Sequence, residues 1–507
     1  MSTDGHDGGA RASTLDLPPE ELEELGRAFG RLALEHLREP EALPVFPETS
    51  AEKLQGLFGG GLPAEGTGLE ALAGACAEVF RQSRQNGHPR MFGYVASPAT
   101  PVGAFASLAA AALNSNVTSW RSAPGPTEVE RTAVRWLAEL IGFKGEGLND
   151  ACGGLLTSGG SMANLNALFV AHRAHARDAS RRGLWGERAP ATVYASDQVH
   201  LSIPKAADLL GLGREQVRVV PSDERFRVDV RLLRERIEAD ARAGFSPFCV
   251  VASAGTVATG AVDPLHEVAG AARAHSLWFH VDGAYGALAA GAGSKRALFE
   301  GIEEADSVSL DPHKWLYTPL GAGCLLFREP ERARAAFAGT EEGYIKVFER
   351  DESEAFAFWD YGTELSRPFR ALKVWATLSY YGARRIAAAI EEDCSLAEYM
   401  AGRVGAAEEF ELLAPVALGI CCFRYVPEAA RRELGDEGRR KETDARLDDL
   451  NERVMRRVQR GGEAYVSNAM LRGRFALRAS VTNYRTTRRD IDLTLEVIRR
   501  AAHELEN

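Results

Sequence analysis

Apolar runs and helical stripes alternate along the middle of the chain, between residues 191 and 330. Short apolar runs predict strands at 191–195, 217–220, 248–252, 277–281, 307–310 and 323–327. Between them, helical periodicity predicts helices over 203–212, 229–242 and 264–275. Because strands that alternate with helices pair in parallel, the pattern predicts an α/β fold with a mostly parallel central sheet.

The flanking regions have a different pattern. An apolar stripe predicts a helix over 19–38, and a strand is expected at 476–481. We therefore divide the chain into a disordered tail with an N-terminal helical segment (1–100), a large domain (101–375) and a smaller C-terminal α+β domain (376–507).

Composition narrows the class of protein. Hydrophobic residues make up 45%, charged residues 26%, and the net charge is −11, which disfavours nucleic acid as a partner. We find no run long enough to span a membrane and no apolar core of a secretory signal. The seven cysteines include no CxxC pair or metal-ligand cluster, so we expect buried thiols, no metal and a cytoplasmic location.

A glycine-rich turn precedes a predicted helix at 153–164. Glycines let the backbone approach an anion, and the helix N-terminus binds it. The Gly160 N–H and the Ser161 hydroxyl would then be donors to a phosphate. The segment is neither a Walker A loop nor a dinucleotide fingerprint, and an ordinary helix entry explains it equally well.

Polar residues follow the predicted strands, at the sheet edge where ligands of such folds bind. Asp282 ends a buried apolar run and needs a partner, such as a protonated pyridine nitrogen, unless it caps the next turn. Lys314 lies on the tight connection between two buried strands, beside His313 and Trp315. A lysine held among apolar and aromatic groups would have a depressed pKa, and its neutral amine can condense with a carbonyl. A lysine at a strand end with no such role fits this stretch equally well.

The segment Asp-Pro-His-Lys-Trp at 311–315 resembles the cofactor-lysine motif of the group II amino-acid decarboxylases, which depend on pyridoxal 5'-phosphate (PLP). The resemblance extends over about residues 60–500. Its motifs occur in the family's order: Gly160-Ser161, His200, Asp282-x-Ala284 and His313-Lys314. It implies an aspartate-aminotransferase-like (type I) PLP fold and a homodimer with active sites at the interface.

The resemblance also implies roles for individual residues. The cofactor-binding set is Gly160, Ser161, His200, Thr256, Asp282, Ala284, His313 and Lys314. The family has Asp-Ala-Ala where this chain has Asp-Gly-Ala at 282–284. Tyr344, together with Lys314 and His200, completes the predicted catalytic set. Tyr344 resembles the mobile-loop tyrosine that protonates the carbanion, although the composition of its segment also fits a solvated loop.

The implied reaction is decarboxylation of an L-amino acid, most often an aromatic one, to its amine and CO2. The predicted substrate pocket consists of Tyr94, Val95, Ser97 and Thr118. Its segments are less aromatic than a catechol or indole binder requires, and Arg121 is close in sequence, so glutamate, aspartate and 2,4-diaminobutyrate stay open. A further alternative is another PLP reaction on this fold, by an aldehyde synthase or a carbon–sulfur lyase. The last alternative is a non-catalytic protein that has kept the fold.

Overall fold

The computed structural model describes residues 15–144, 153–176, 178–186, 189–338 and 354–506. The chain forms two compact units, Met1–Gln85 and Asn86–Asn507. The predicted tail at residues 1–14 lies outside the described residues. The predicted divisions after residues 100 and 375 stay predictions.

The first unit contains three helices: α1 (Pro19–Arg38), α2 (Ala51–Phe58) and α3 (Leu69–Arg81). The bounds of α1 agree with the prediction, and proline at its start fits a position whose N–H has no intrahelical partner. Ser50 caps α2, because its side chain accepts a hydrogen bond from Lys53 N at 3.2 Å. None of the residues in these three helices is buried.

The second unit contains the remaining elements. Its first part comprises α4 (Pro101–Leu113), α5 (Pro124–Ile141), β1 (Gly154–Thr157), α6 (Gly160–His175), α7 (Ala179–Arg182), β2 (Ala191–Ser196), α8 (Ser202–Leu209), β3 (Val217–Val220), α9 (Val230–Arg242), β4 (Ser246–Ser253), α10 (Leu265–Ala274), β5 (Trp278–Asp282), β6 (Ser307–Leu310), α11 (Pro312–Trp315), β7 (Gly323–Phe327) and α12 (Pro330–Phe337). Its last part comprises α13 (Ala371–Ala406), β8 (Phe410–Leu412), β9 (Ile420–Tyr425), α14 (Glu428–Leu434), α15 (Glu437–Gly461), β10 (Ser467–Leu471), β11 (Arg474–Ser480) and α16 (Arg488–Glu506).

The large sheet has seven strands in the order β1-β7-β6-β5-β4-β2-β3. Strands β2 to β6 pair in parallel, whereas β7 is antiparallel to both of its neighbours, β1 and β6. All six predicted strands are present. Strands β1, β2, β5, β6 and β7 are buried along their whole length, as expected for a sheet covered on both faces. The predicted α/β fold is therefore confirmed.

The smaller sheet has four antiparallel strands in the order β10-β11-β9-β8. Strands β10 and β11 form a hairpin whose turn residues, Arg472 and Gly473, both have positive φ. Helix α13 is interrupted at Gly382, which has φ 72°. In the part of the chain that the structure describes, no helix has both the length and the apolar character needed to cross a membrane.

Candidate active site

A cavity of about 960 Å³ lies at the carboxyl ends of the parallel strands. Segments that follow β1, β2, β4, β5 and β6 line one part of it, and strands β10 and β11 line another. Of the predicted site residues, the structure places ten on this cavity: Tyr94, Val95, Gly160, Ser161, His200, Thr256, Asp282, Ala284, His313 and Lys314. This edge is where a parallel sheet brings sequence-distant loops together.

Lys314 lies in the single-turn helix α11 directly after β6. Its Nζ is 3.0 Å from Oδ2 of Asp311, and the other carboxyl oxygen of Asp311 is buried without a hydrogen-bond partner. The amine therefore faces a carboxylate, not the apolar and aromatic surroundings that the sequence led us to expect. Trp315, the aromatic neighbour, is buried behind the turn and away from the cavity lining.

Asp282 is the last residue of β5 and is 7% exposed. Its Oδ2 accepts a hydrogen bond from Asn164 Nδ2 at 2.9 Å, and its Oδ1 accepts from Ser309 Oγ at 3.2 Å. Oδ1 also accepts from the backbone N–H of Ala284 at 3.2 Å. Three donors hold this carboxylate in one orientation toward the cavity.

Asn164 is oriented by a buried chain of side chains. Its Nδ2 donates to Asp282, so its Oδ1, 3.0 Å from His280 Nε2, accepts from that ring nitrogen. His280 Nδ1 then accepts from Ser307 Oγ at 2.9 Å, and Ser307 Oγ accepts from Trp278 Nε1 at 2.9 Å. Burial lowers the pKa of His280 to about 4, so the imidazole stays neutral and keeps this pattern.

The same asparagine reaches the segment after β2. Asn164 Nδ2 also donates to Ser202 Oγ at 2.9 Å, and Ser202 Oγ is 2.8 Å from His200 Nδ1. His200 Nδ1 accepts from the backbone N–H of Ser202 at 3.2 Å, so in the neutral ring the proton lies on Nε2. One side chain thus connects His200, a member of the predicted cofactor-binding set, with the buried carboxylate Asp282.

Glycines shape the start of α6, whose N-terminal turn faces the cavity. A Cβ on Gly160 would lie 2.7 Å from the Ala284 Cβ and 2.9 Å from Asp311 Oδ2. A Cβ on Gly159 would approach His313 Cε1 to 3.6 Å. Any larger side chain would fill this space. The free N–H groups and the positive end of a 16-residue helix therefore form a cradle that fits a phosphate.

His313 and Thr256 complete the cofactor-binding set. His313 Nδ1 donates to the carbonyl oxygen of Ala322 at 2.7 Å, and burial lowers the pKa of its ring. The buried Thr256 Oγ1 accepts from Ala261 N at 3.1 Å and is 3.0 Å from Thr259 Oγ1. Both side chains have fixed orientations at the cavity wall.

Two predicted pocket residues are not among the described residues that line the cavity. Ser97 Oγ donates to the backbone oxygen of His313 at 2.7 Å, so it supports the segment that carries Lys314. Thr118 is buried, and its backbone oxygen accepts from Phe358 N at 2.9 Å. Tyr344 lies outside the described residues. Its predicted role stays a prediction.

The sequence reasoning missed three polar groups of the site. Asn164 and Asp311 lay inside the two motifs that it singled out, so their types and positions were a usable signal. Arg478 was not recognisable, because it comes from β11, far along the chain, and no local motif surrounds it. It is 3% exposed, donates through Nε to Val257 O at 2.9 Å and through Nη1 to Tyr94 O at 2.7 Å. Its Nη2 is buried without a hydrogen-bond partner in the described structure.

An amine, a buried carboxylate and a phosphate cradle around one cavity of an α/β sheet define the PLP-dependent enzymes of this fold. The pyridoxal-dependent decarboxylase conserved domain matches residues 52–426, and the chain belongs to that family. The predicted family, the PLP cofactor and the enzyme class are thereby confirmed.

Similar proteins cover nearly the whole length of the chain. An aromatic-L-amino-acid decarboxylase from Bacillus atrophaeus is 34% identical over 97% of this chain and 98% of its own. A phenylacetaldehyde synthase from Petunia hybrida is 28% identical over 99% of this chain and 98% of its own. Among solved structures, Oryza sativa TDC with PLP and tryptamine has a TM-score of 0.89 at 27% identity, covering 98% of this chain and 100% of that one.

Proposed function

We propose that this protein decarboxylates an aromatic L-amino acid to the corresponding amine and CO2. The observation that supports this most directly is the placement of Lys314, Asp282 and the Gly160 cradle around one cavity. The decarboxylase names of its relatives agree with that reaction.

The residues around the cavity have the groups that PLP requires. Gly160, Ser161 and His313 would hold the phosphate. Asp282 would bind the ring nitrogen, and Lys314 would bind the aldehyde carbon. His200 and Ala284 would lie against the two ring faces, with Thr256 near the phenolic oxygen. When bound, PLP draws electrons from the bonds to Cα of the amino acid. The Asp282 carboxylate would support that withdrawal by accepting a hydrogen bond from the protonated ring nitrogen.

The substrate needs two further functions from the chain. The unpartnered Nη2 of Arg478 can donate to the substrate carboxylate, which fixes the orientation of the bond to be broken. A proton must then reach Cα, and we assign this transfer to Tyr344, with His200 as the alternative.

Apolar walls favour an aromatic side chain. Tyr94, Val95, Val257, Leu320 and Met470 line the cavity. Arg121 is not among the described lining residues, which leaves Arg478 as the described arginine on this surface. An acidic amino acid would require a second cation for its side chain, whereas an aromatic one requires apolar contact area.

Oxidative aldehyde synthesis is the second candidate reaction, because phenylacetaldehyde synthases and a 4-hydroxyphenylacetaldehyde synthase are among the relatives. The family resemblance places tyrosine at position 344 in decarboxylases and tends to place phenylalanine there in aldehyde synthases. Tyrosine at this position therefore favours simple decarboxylation.

We further propose a cytoplasmic homodimer. Apolar side chains of α1 and α3, such as Leu22, Leu34 and Val79, are 59%, 48% and 46% exposed in the single chain. A second copy of the chain would remove such surface from water. None of the six described cysteines forms a disulfide, as in proteins of a reducing compartment.

Two measurements test the proposed reaction. A visible absorption spectrum of the purified protein should show bound PLP, and Lys314→Ala should lose that band. Lys205→Ala, on the exposed surface of α8, is the control for loss of a lysine.

CO2 release would then be screened across the twenty amino acids, 2,4-diaminobutyrate and L-DOPA. CO2 with a stoichiometric amine from aromatic substrates supports the proposal. Aldehyde, ammonia and peroxide would replace it with the second candidate, and CO2 from acidic substrates alone would overturn the substrate class.

A further inference from the structure

A buried carboxylate lies behind the turn that carries Lys314. Asp393, on α13, is 1% exposed. Its Oδ2 accepts hydrogen bonds from Trp315 Nε1 at 3.0 Å and from Tyr317 OH at 2.7 Å. The backbone N–H of Asn483 is a third donor. Asp393 thus binds the first and the third residue after Lys314 and does not line the cavity itself.

The turn that it holds is unfavourable by itself. Tyr317 has φ 52°, a left-handed conformation that residues other than glycine keep where surrounding contacts fix them. Its ring packs edge-on against Tyr484, with centroids 5.3 Å apart. Trp315 stacks on Tyr285 with centroids 4.7 Å apart, and Tyr285 lines the cavity three residues after Asp282. Movement of Tyr317 would therefore displace the Lys314 turn, and movement of Trp315 would displace both that turn and the segment that follows Asp282.

We propose that Asp393 is a positioning residue of this active site, which holds the Lys314 turn in place through Trp315 and Tyr317. The inference rests on the proposed function in one respect, that Lys314 binds PLP.

The charge of Asp393 is poorly compensated. No ion pair with Asp393 occurs among the described residues, and burial raises its pKa to about 7, although the bonds from Tyr317 and Trp315 oppose the rise. The titratable groups that face it are Tyr285, Tyr317, Cys394 and Glu392. Burial raises the pKa of both tyrosines and of Cys394, so these three groups stay neutral between pH 5 and 8.

The sign of the effect on stability follows from the raised pKa. Between about pH 4 and 7 the folded protein binds more protons at Asp393 than the unfolded chain does, so stability falls as pH rises through that window.

Asp393→Asn and Tyr317→Phe test the proposal. In Asp393→Asn, an NH2 donor replaces one of the two acceptor oxygens at nearly the same side-chain shape, so the side chain loses acceptor capacity for its three donors. The matched controls are Asp240→Asn and Tyr194→Phe, because Tyr194 OH donates to Asp240 Oδ2 at 3.0 Å and neither residue lines the cavity.

The readouts are the dissociation constant of PLP, measured from its visible absorption band without amino acid, then kcat and KM, and the thermal midpoint from pH 5 to 8. We expect both test variants to weaken PLP binding roughly 10-fold and to lower kcat about 10- to 100-fold with little change in KM. The midpoint of Asp393→Asn should increase relative to that of the wild type as pH rises. The controls should keep wild-type PLP binding and kcat.

The proposal is wrong if Tyr317→Phe and Asp393→Asn bind PLP and turn over within two-fold of the wild type. It is equally wrong if the Tyr194→Phe control weakens PLP binding as much as Tyr317→Phe does. If Asp393→Asn does not fold, Tyr317→Phe decides alone. Because PLP binding is measured without substrate, failure of the proposed decarboxylation would leave this readout intact.

Discussion

Asn164 is the residue that joins the two sides of the candidate site. Its amide donates to Asp282 and to Ser202, and Ser202 contacts His200. A reversed amide would place its oxygen against the Asp282 carboxylate and its NH2 group against the ring N–H of His280. Both contacts are repulsive, so together they keep the amide from flipping. Residue identity, and not only side-chain volume, therefore matters at this position.

Asn164→Ala should lower kcat about 10- to 100-fold, because a hydrogen bond to a charged group contributes about 1.5–3 kcal/mol. The affinity for PLP should fall as well. Steady-state kinetics and the absorption band of bound PLP measure the two effects. Asn166→Ala is the matched control: Asn166 is equally buried on α6 but does not line the cavity. Equal losses in both variants would show that α6 packing, and not the amide, matters.

Arg478→Lys should raise KM for the amino acid roughly 10-fold or more, because an ammonium cannot reproduce the planar guanidinium fork. The product amine lacks the carboxylate, so its inhibition constant should stay near the wild-type value. Comparing KM with product inhibition separates carboxylate recognition from general damage to the cavity. An equal rise in KM and in the inhibition constant of the product amine would show that Arg478 has only a structural role.

At the scale of elements, a buried ion pair joins segments that lead into the site. Arg367 and Glu130 are each 1% exposed at the side chain and are hydrogen-bonded to each other. Arg367 also donates to Val117 O at 2.7 Å and to Leu156 O at 2.8 Å, while Glu130 Oε1 accepts from Leu156 N at 2.9 Å. The pair thus connects α5 with β1, the strand that leads into the glycine cradle.

Arg367→Met should destabilise the protein by about 3–5 kcal/mol, because it leaves the Glu130 carboxylate buried without its partner. Urea unfolding of the apoprotein measures this change. Arg231→Met is the control: its ion pair with Glu235 on α9 is exposed, so the same substitution should cost less than about 1 kcal/mol. Adding Glu130→Leu to Arg367→Met should recover most of the loss, and a double variant no more stable than the single one would contradict this explanation.

At the scale of the whole molecule, buried histidines make stability depend on pH. Burial lowers the pKa of His280 to about 4, below the 6.5 of an unfolded histidine. Between these values the unfolded chain binds the additional proton, so this contribution is fully present above pH 6.5 and is lost as pH falls toward 4. Asp393 and Asp263, whose pKa values burial raises to about 7 and about 6, act in the opposite direction.

Between pH 6.5 and 4, the free energy of unfolding of His280→Gln should therefore fall by about 3 kcal/mol less than that of the wild type. Urea midpoints of the apoprotein at several pH values give the two slopes. The variant will be less stable at pH 7, since it loses hydrogen bonds to Ser307 and Asn164, so the slope and not the absolute value is decisive. Equal slopes for the two proteins would show that His280 does not control the loss of stability at acid pH.

The sequence alone determined six strands of the large sheet and the three helices predicted between them. The edge strand at 217–220 occurs at the predicted residues, although only its two end residues are buried. Strands at 307–310 and 323–327 also occur as predicted, because these short runs are buried on both faces of the sheet. The motif residues Gly160, Asp282 and Lys314 were recognisable because each follows such a run, and local chain geometry brings strand ends to one edge. Local pattern is therefore sufficient for the elements and for the main groups of the site.

The tertiary structure alone decided which side chains surround those groups. Arg478 reaches the cavity because β11 of the second sheet packs beside it, and Asp393 reaches the Lys314 turn from α13. The absence of Ser97 and Thr118 from the described lining depends likewise on how distant segments pack. Hydrophobic periodicity specifies which face of an element is buried, but not which partner covers it, because burial is non-directional whereas hydrogen bonds and ion pairs require specific partners.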